Sequence, residues 1–267
     1  NTDRNRTSPF AFTGNKFEFR MLGSAFSIAG PNVVLNTIVA EELCQFADEL
    51  EKAEDFKTAL AALIKKTIVE HKRIIFNGNN YSEEWVTEAE KRGLLNLRTT
   101  PEALPYFISD KNVELFTKHG IFTRTEMLSR YEILMEGYDK VINIEALTML
   151  EMAKKQILPA VSAYSKSLAD SALAKKTLSA AIDTSFEEAL AGKLSALGAS
   201  LYQKIETLDE AVLGLHRCAD ATAEGLYNVG TVIPAMNDLR AVADELETIV
   251  SKEYWPFPTY GDLLLYV

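Results

Sequence analysis

From Pro31 to about Trp255, apolar residues recur at intervals of three and four, and that rhythm confines most of the chain to helices. Val34, Leu35, Ile38, Val39, Leu43 and Phe46 form the first buried stripe, with Pro31 suited to a first helical turn. A second helix is expected to start near Asp55 and to run through Leu60, Leu63, Ile64 and Val69 toward Ile75, stopping at Asn77-Gly78-Asn79-Asn80. Ser82 can cap a short helix ending at Gly93; Thr100-Pro101-Glu102 and Asp110 mark further starts, and Thr123 with Glu126 makes a capping box. Leu128, Tyr131 and Met135 begin another stripe, and Ile144, Leu147 and Leu150 one more. Pro159 and Pro234 interrupt apolar runs, so each is expected to kink or end a helix, Gly230 strengthening the second break. Ala-rich stretches at 160–181 and 189–200 permit close helix packing. The tail, YWPFPTYGDLLLYV, is aromatic and Pro-rich, then apolar, and is expected to dock on the body.

Composition narrows the function classes. With 47% hydrophobic and 25% charged residues in 267, the chain is globular and not disordered. A net charge of −10 argues against a nucleic-acid partner and against an anionic membrane surface. No apolar run reaches the roughly 18 to 20 residues of a spanning helix. Cys44 and Cys218 are far apart and lack metal spacing, so a reducing cytoplasm is expected in place of a disulfide scaffold. The chain opens at Asn1 with no signal-peptide pattern and with dense polar and aromatic patterning, and reads as a piece of a longer protein.

Residues 1–30 differ from the rest: they carry +2, which leaves −12 for the remainder. Phe10, Phe12, Phe17 and Phe19 flank Gly14-Asn15, a two-residue turn signal, so a β-hairpin is expected with strands near 9–13 and 16–21. Alternation sets Lys16, Glu18 and Arg20 on one face, opposite Phe17 and Phe19. A carboxylate between two cations fits a solvated cross-strand ion pair. That is the commoner case on half-buried strands; the pattern also fits a divalent-metal ligand whose flanking cations hold anionic substrate groups. With a tight turn, Ala11 faces Glu18. Strict parity then puts Arg6 on the phenylalanine side, whereas a bulge at Pro9 frees it to join Glu18.

The run NRTSPFAFTGNKFEFR, followed by a small-residue loop, a Pro-Asn and the helix VVLNTIVAEEL, resembles the late catalytic strands of glutamine synthetase, in wording closest to the long type III form found in bacteria. The resemblance implies a mostly α chain: an N-terminal hairpin from the catalytic sheet, then a large helical bundle. Residues 1–45 would end the catalytic domain and 46–267 would form the helical C-terminal region. It implies that Arg6 touches ATP phosphate and glutamate, that Glu18 ligates the metal beside the nucleotide, and that Arg20 steers substrate glutamate. Lys16 falls where other types carry an ATP-contacting arginine. Ala11 replaces a second such arginine of type I chains, and the Arg6–Glu18 gap is shorter than theirs. The implied reaction joins ammonia to glutamate through γ-glutamyl phosphate, with ATP and Mg2+ or Mn2+, in a homo-oligomer of stacked rings.

The remaining metal carboxylates, the ligand histidine and the ammonium-site acid lie upstream in that family, so the 267-residue piece alone is expected to be inactive. His71, His119 and His216 have no partner at ligand spacing and read as packed or solvated. The acids Glu41-Glu42, Glu49, Glu51, Glu54 and Asp55 read as a solvated helix face, and Cys218 after His216-Arg217 does not make a dyad by adjacency. Phosphate-binding glycine loops are absent. The alternative is a non-catalytic helical module for interaction or oligomerisation that happens to begin with a charged hairpin.

Overall fold

The computed structural model describes residues 10–12, 17–19, 27–79 and 82–265. The chain divides into two units, one holding the residues up to Arg98 with Pro105–Leu128, the other Thr99–Leu104 with Ser129–Val267. The first unit has two three-residue strands, β1 (Phe10–Phe12) and β2 (Phe17–Phe19), paired antiparallel with Ala11 opposite Glu18. The rest of the expected 9–13 and 16–21 hairpin lies outside the described residues. Beyond this ladder, the described chain is helical or connecting.

Local chemistry sets most helix ends of the first unit. Asp55 accepts the Thr58 N–H at 3.2 Å and caps α2 (Phe56–His71), which follows α1 (Ala29–Leu50). After α2 the chain tightens into a 3-10 turn at Lys72–Ile74 instead of staying α-helical to Ile75. The reason lies in Arg92, beside α3 (Glu83–Lys91), which donates to the Arg73 and Ile75 carbonyls at 3.2 and 2.8 Å. Its guanidinium also lies over Phe76 and Trp85, which stack at 4.4 Å. Ser82 stands at the head of α3, yet its hydroxyl donates to the Asn79 carbonyl and accepts no N–H of the helix. Next come α4 (Thr100–Phe107) and α5 (Asp110–Lys118). Gly93 and Gly120 take left-handed φ of 70° and 63°, letting Leu94 and Ile121 donate back to Ala89 and Phe116, both at 3.0 Å.

The core of the first unit is small: Val113, Phe116 and Met127, packed by Val33, Val34, Phe107, Ile108 and Phe122. Here the expected stripes need correction. On α1 only Thr37 is buried, while Ile38, Val39 and Leu43 are exposed; on α2 Leu63 is buried, while Ile64 and Val69 are exposed. Periodicity identified helices with an apolar face, but no second layer among the described residues covers it.

The second unit is a helical bundle built on the part of α6 (Arg124–Met152) from Ser129 onward, α7 (Leu158–Leu178), α8 (Ser185–Leu215), α9 (Ala221–Tyr227) and α10 (Ile233–Glu247). Thr123 and Glu126 form the expected reciprocal box at the head of α6, with Thr123 N–H to Glu126 at 2.7 Å and Glu126 N–H to Thr123 Oγ1 at 3.2 Å. Ion pairs give the directions. Lys175–Glu187 lies near the α7–α8 turn and Lys154–Asp209 far from it, so the helices are antiparallel; Lys193–Glu245 and Lys204–Asp238 show the same for α8 and α10. Among the described residues the α7–α8 contact is the most extensive, and Gly198 brings its backbone close to Val161.

Helix α8 forms the centre of this core. Leu194, Leu201, Leu208 and Leu215 repeat every seven residues and are buried, with Ile205 and Ala211 between them. In this unit α6 buries the apolar Met135, Ala146 and Leu150 and the polar Asp139; Ile144 and Leu147, expected in the stripes, face solvent, as does Leu128. Neither proline ends its helix. Pro159 and Pro234 each stand two residues after a π-helical segment, Ala153–Ile157 and Asn228–Val232, and the chain runs from helix through π turn into helix both times. A proline lacks the N–H and crowds the carbonyl four residues back; just before each proline, Leu158 and Ile233 donate to carbonyls five residues back, those of Ala153 and Asn228, and this wider turn gives the ring room. In the tail, Trp255 is buried and Tyr254 and Phe257 pack on the core, Tyr254 5.2 Å from Tyr164. Helix α11 (Tyr260–Leu265) does not follow them in, since Leu263, Leu264 and Leu265 are exposed.

Candidate functional site

Of the four residues singled out for chemistry, Glu18 lies in β2, opposite Ala11. Arg6, Lys16 and Arg20 lie outside the described residues. The donor chemistry of Glu18 suits a hard divalent cation, since Mg2+ and Mn2+ take carboxylate oxygen. Among the described residues no group of three or more His, Cys, Asp and Glu gathers at one place.

Two polar clusters in the structure had no signal in the sequence. In the first unit, Glu41 of α1 receives Lys118 Nζ and His119 Nε2, each at 2.7 Å, and Gln45 Nε2 at 2.9 Å. The Lys118 hydrogen bond, then those of Gln45 and His119, hold the Glu41 carboxyl down at about 2. One expectation changes here, since Glu41 is not part of a bare solvated face; His119 is packed, with Glu41 as its partner. The partners are 77 and 78 residues apart, a separation that no local spacing rule spans. The cluster ties α1 to the end of α5 and leaves no free carboxylate face for a metal.

In the second unit, α9 and the π segment after it run alongside α6 in the same direction. Tyr131 and Thr222 hydrogen-bond at 2.6 Å, and Asn228 Nδ2 donates to Asp139 Oδ1 at 2.9 Å. Between these levels Gly225 has no side chain, and a Cβ there would meet Pro101 at 2.8 Å and Met135 Sδ at 3.1 Å. Nearby, burial and then Glu224, Asp139 and Asp220 push the Cys218 thiol up, which disfavours the thiolate a nucleophile needs. A half-open groove of about 650 Å³ lies elsewhere in the unit, with Met149, Met152, Met236 and Trp255 in its wall and Glu145 and Glu247 among its acids. No helix among the described residues is long and apolar enough to cross a membrane.

Comparison with known proteins supplies what this geometry lacks. Residues 59–176 match the glutamine synthetase C-terminal domain. The chain is 40% identical to a glutamine synthetase of Butyrivibrio fibrisolvens over 99% of its own length and 38% of that protein's. It is 40% identical to a type-3 glutamine synthetase of Dictyostelium discoideum over 98% of its length and 37% of the relative's. With a glutamine synthetase of Bacteroides fragilis it shares 30% over 98%, again 37% of the relative. The chain thus spans well under half the length of these relatives, and by sequence it belongs to the glutamine synthetase family, in the type III branch and in the part that carries the C-terminal domain.

Proposed function

We propose that this chain is the C-terminal part of an ATP-dependent glutamate–ammonia ligase, and that its N-terminal strand pair belongs to the catalytic sheet. One observation carries the reading: the 40% identity extends over 99% of the chain, so the likeness includes the Glu18 strand and is not confined to the helical domain at 59–176.

Each residue then has a role that its chemistry allows. Glu18 offers an oxygen ligand to Mg2+ or Mn2+ beside the nucleotide, completed by donors from the part of the enzyme outside this chain. When bound, such a cation neutralises the phosphoryl group that passes from ATP to the glutamate side chain. Arg6 pairs with ATP phosphate and with glutamate, presenting a planar fork to anionic oxygens. Lys16 contributes a point charge to ATP, and Arg20 orients glutamate by its carboxylate. Ammonia then displaces phosphate from γ-glutamyl phosphate to leave glutamine. Residues 1–45 end the catalytic domain and 46–267 form the helical region. The enzyme works in the cytoplasm as a homo-oligomer of stacked rings, and the apolar residues that α1 and α2 leave exposed support a covered surface in that assembly.

A single assigned metal carboxylate cannot sustain phosphoryl transfer, so the 267-residue chain alone is inactive. The test compares the isolated chain with the longer protein, supplied with glutamate, ammonium, ATP and Mg2+. Glutamine from the longer protein alone is the expected result. Turnover by the isolated chain would overturn the assignment, and no turnover by either would remove the ligase reading.

A further inference from the structure

Asp139 and Asn228 are 3% and 0% exposed, and one hydrogen bond joins them, from Asn228 Nδ2 to Asp139 Oδ1 at 2.9 Å. The other oxygens of the same two groups, Asp139 Oδ2 and Asn228 Oδ1, are both buried with no partner. Both are acceptors if Asp139 is ionised, and desolvated acceptors left without a donor are destabilising. One proton removes both defects. On Asp139 Oδ2 it lets the carboxylic acid donate to Asn228 Oδ1 while the amide donates to Asp139 Oδ1. Acid and amide then face each other through two hydrogen bonds, and no buried acceptor is left over.

The surroundings favour the same state. On α6, Tyr138 lies next to Asp139, and its own hydroxyl is pushed up by burial and then by Asp139. From α9 comes Glu224, and the connection before α9 brings Cys218 and Asp220, which interact with the same group of acids. Burial and then Glu224 oppose ionisation of Asp139, with the Asn228 hydrogen bond acting the other way. Among the described residues, the groups that act on Asp139 are Asn228 and Glu224, and neither is a cation.

We propose that Asp139 keeps its proton in the folded protein and that the acid–amide pair is a pH-sensitive clasp between α6 and the π segment beginning at Asn228. The clasp sits at the far end of the seam that starts at Tyr131–Thr222. Because the folded carboxyl binds its proton more tightly than the unfolded one, the stabilisation is complete below the ordinary carboxylate range. It is lost as pH rises through the folded value, at about tenfold in the closed population per pH unit above it. Deprotonation releases the proton to solvent and leaves a buried carboxylate beside an amide oxygen.

Hydrogen exchange read by mass spectrometry on the full-length protein tests this, following peptides that cover 221–232 from about pH 5 to about pH 9 and correcting for intrinsic exchange. Asp139→Asn keeps both hydrogen bonds without a titrating proton. The wild type should lose protection at the alkaline end, and Asp139→Asn should hold it. Infrared difference spectra at neutral pH should show a carboxylic C=O band in the wild type that Asp139→Asn lacks. If Asp139→Asn fails to fold, uniform 13C labelling of aspartate reads the Asp139 carboxyl in the wild type itself, and a signal of the ionised form at neutral pH overturns the proposal. Parallel exchange profiles for the two proteins, or no carboxylic band, overturn it as well.

Discussion

Replacing Leu201 by Ala probes the α8 seam on which the second unit is built. Leu201 is 0% exposed and sits one heptad from Leu194 and Leu208, both also 0% exposed. The substitution removes a buried isobutyl group, and the cavity left between α7, α8 and α10 cannot collapse without moving a helix. The cost should be about 3–4 kcal/mol, in the range of buried leucine truncations. For a unit of this size each kcal/mol lowers the melting temperature by about 3 °C, so a drop of about 10 °C is expected in far-UV circular dichroism melts. Leu213 is the control on the same helix: it is 62% exposed, and Leu213→Ala should change stability by less than about 0.5 kcal/mol. Equal shifts for the two would refute the seven-residue seam as the organiser of this core.

The glycines supply an opposed pair. Gly225→Ala must push against Pro101 and Met135, costing about 1–3 kcal/mol, whereas Gly192→Ala in α8 meets nothing within 4 Å and should gain up to about 1 kcal/mol from helix propensity; thermal melts of both decide it. Glu41 carries a pH signature of opposite sign to Asp139. Its carboxyl is held down at about 2, so its contribution is present above the ordinary 4.5 and lost as pH falls toward 2. Glu41→Gln should flatten the acid limb of unfolding followed by circular dichroism, and an unchanged limb would count against the Lys118 and His119 contacts.

Legibility in the sequence tracked the range of the interaction. Asp55, Gly93 and the Thr123–Glu126 box act within a few residues of themselves, and the helix ends they mark stand near where spacing put them. The prolines do not end their helices, because a rule for ideal α-helices ignores the π turn that precedes Pro159 and Pro234. Along α6, Ile144 and Leu147 are as apolar as Leu150, but only Leu150 of that stripe is turned inward, beside the small Ala146. The α8 leucine heptad lay in plain view, masked by the alanines around it. Asp139–Asn228 and Glu41–His119 join residues 89 and 78 apart, so only the fold could reveal them. The chemistry assigned to Arg6, Lys16, Glu18 and Arg20 came from resemblance, because a five-residue charge alternation is shared by ordinary exposed strands.

The most direct test of the catalytic claim is the Glu18→Gln substitution in the full-length enzyme, measured as glutamine formed and phosphate released at saturating glutamate, ammonium and ATP. Gln keeps the size of Glu but gives up the charge that holds a divalent cation. The account predicts that turnover falls by about a hundredfold or more while assembly is retained, in line with the loss of one essential electrostatic contact at a reacting centre. It also predicts partial recovery at raised Mn2+, since a weakened site refills by mass action. Turnover within about twofold of the wild type, with no dependence on added metal, would contradict it and leave Glu18 as a member of an exposed ion pair.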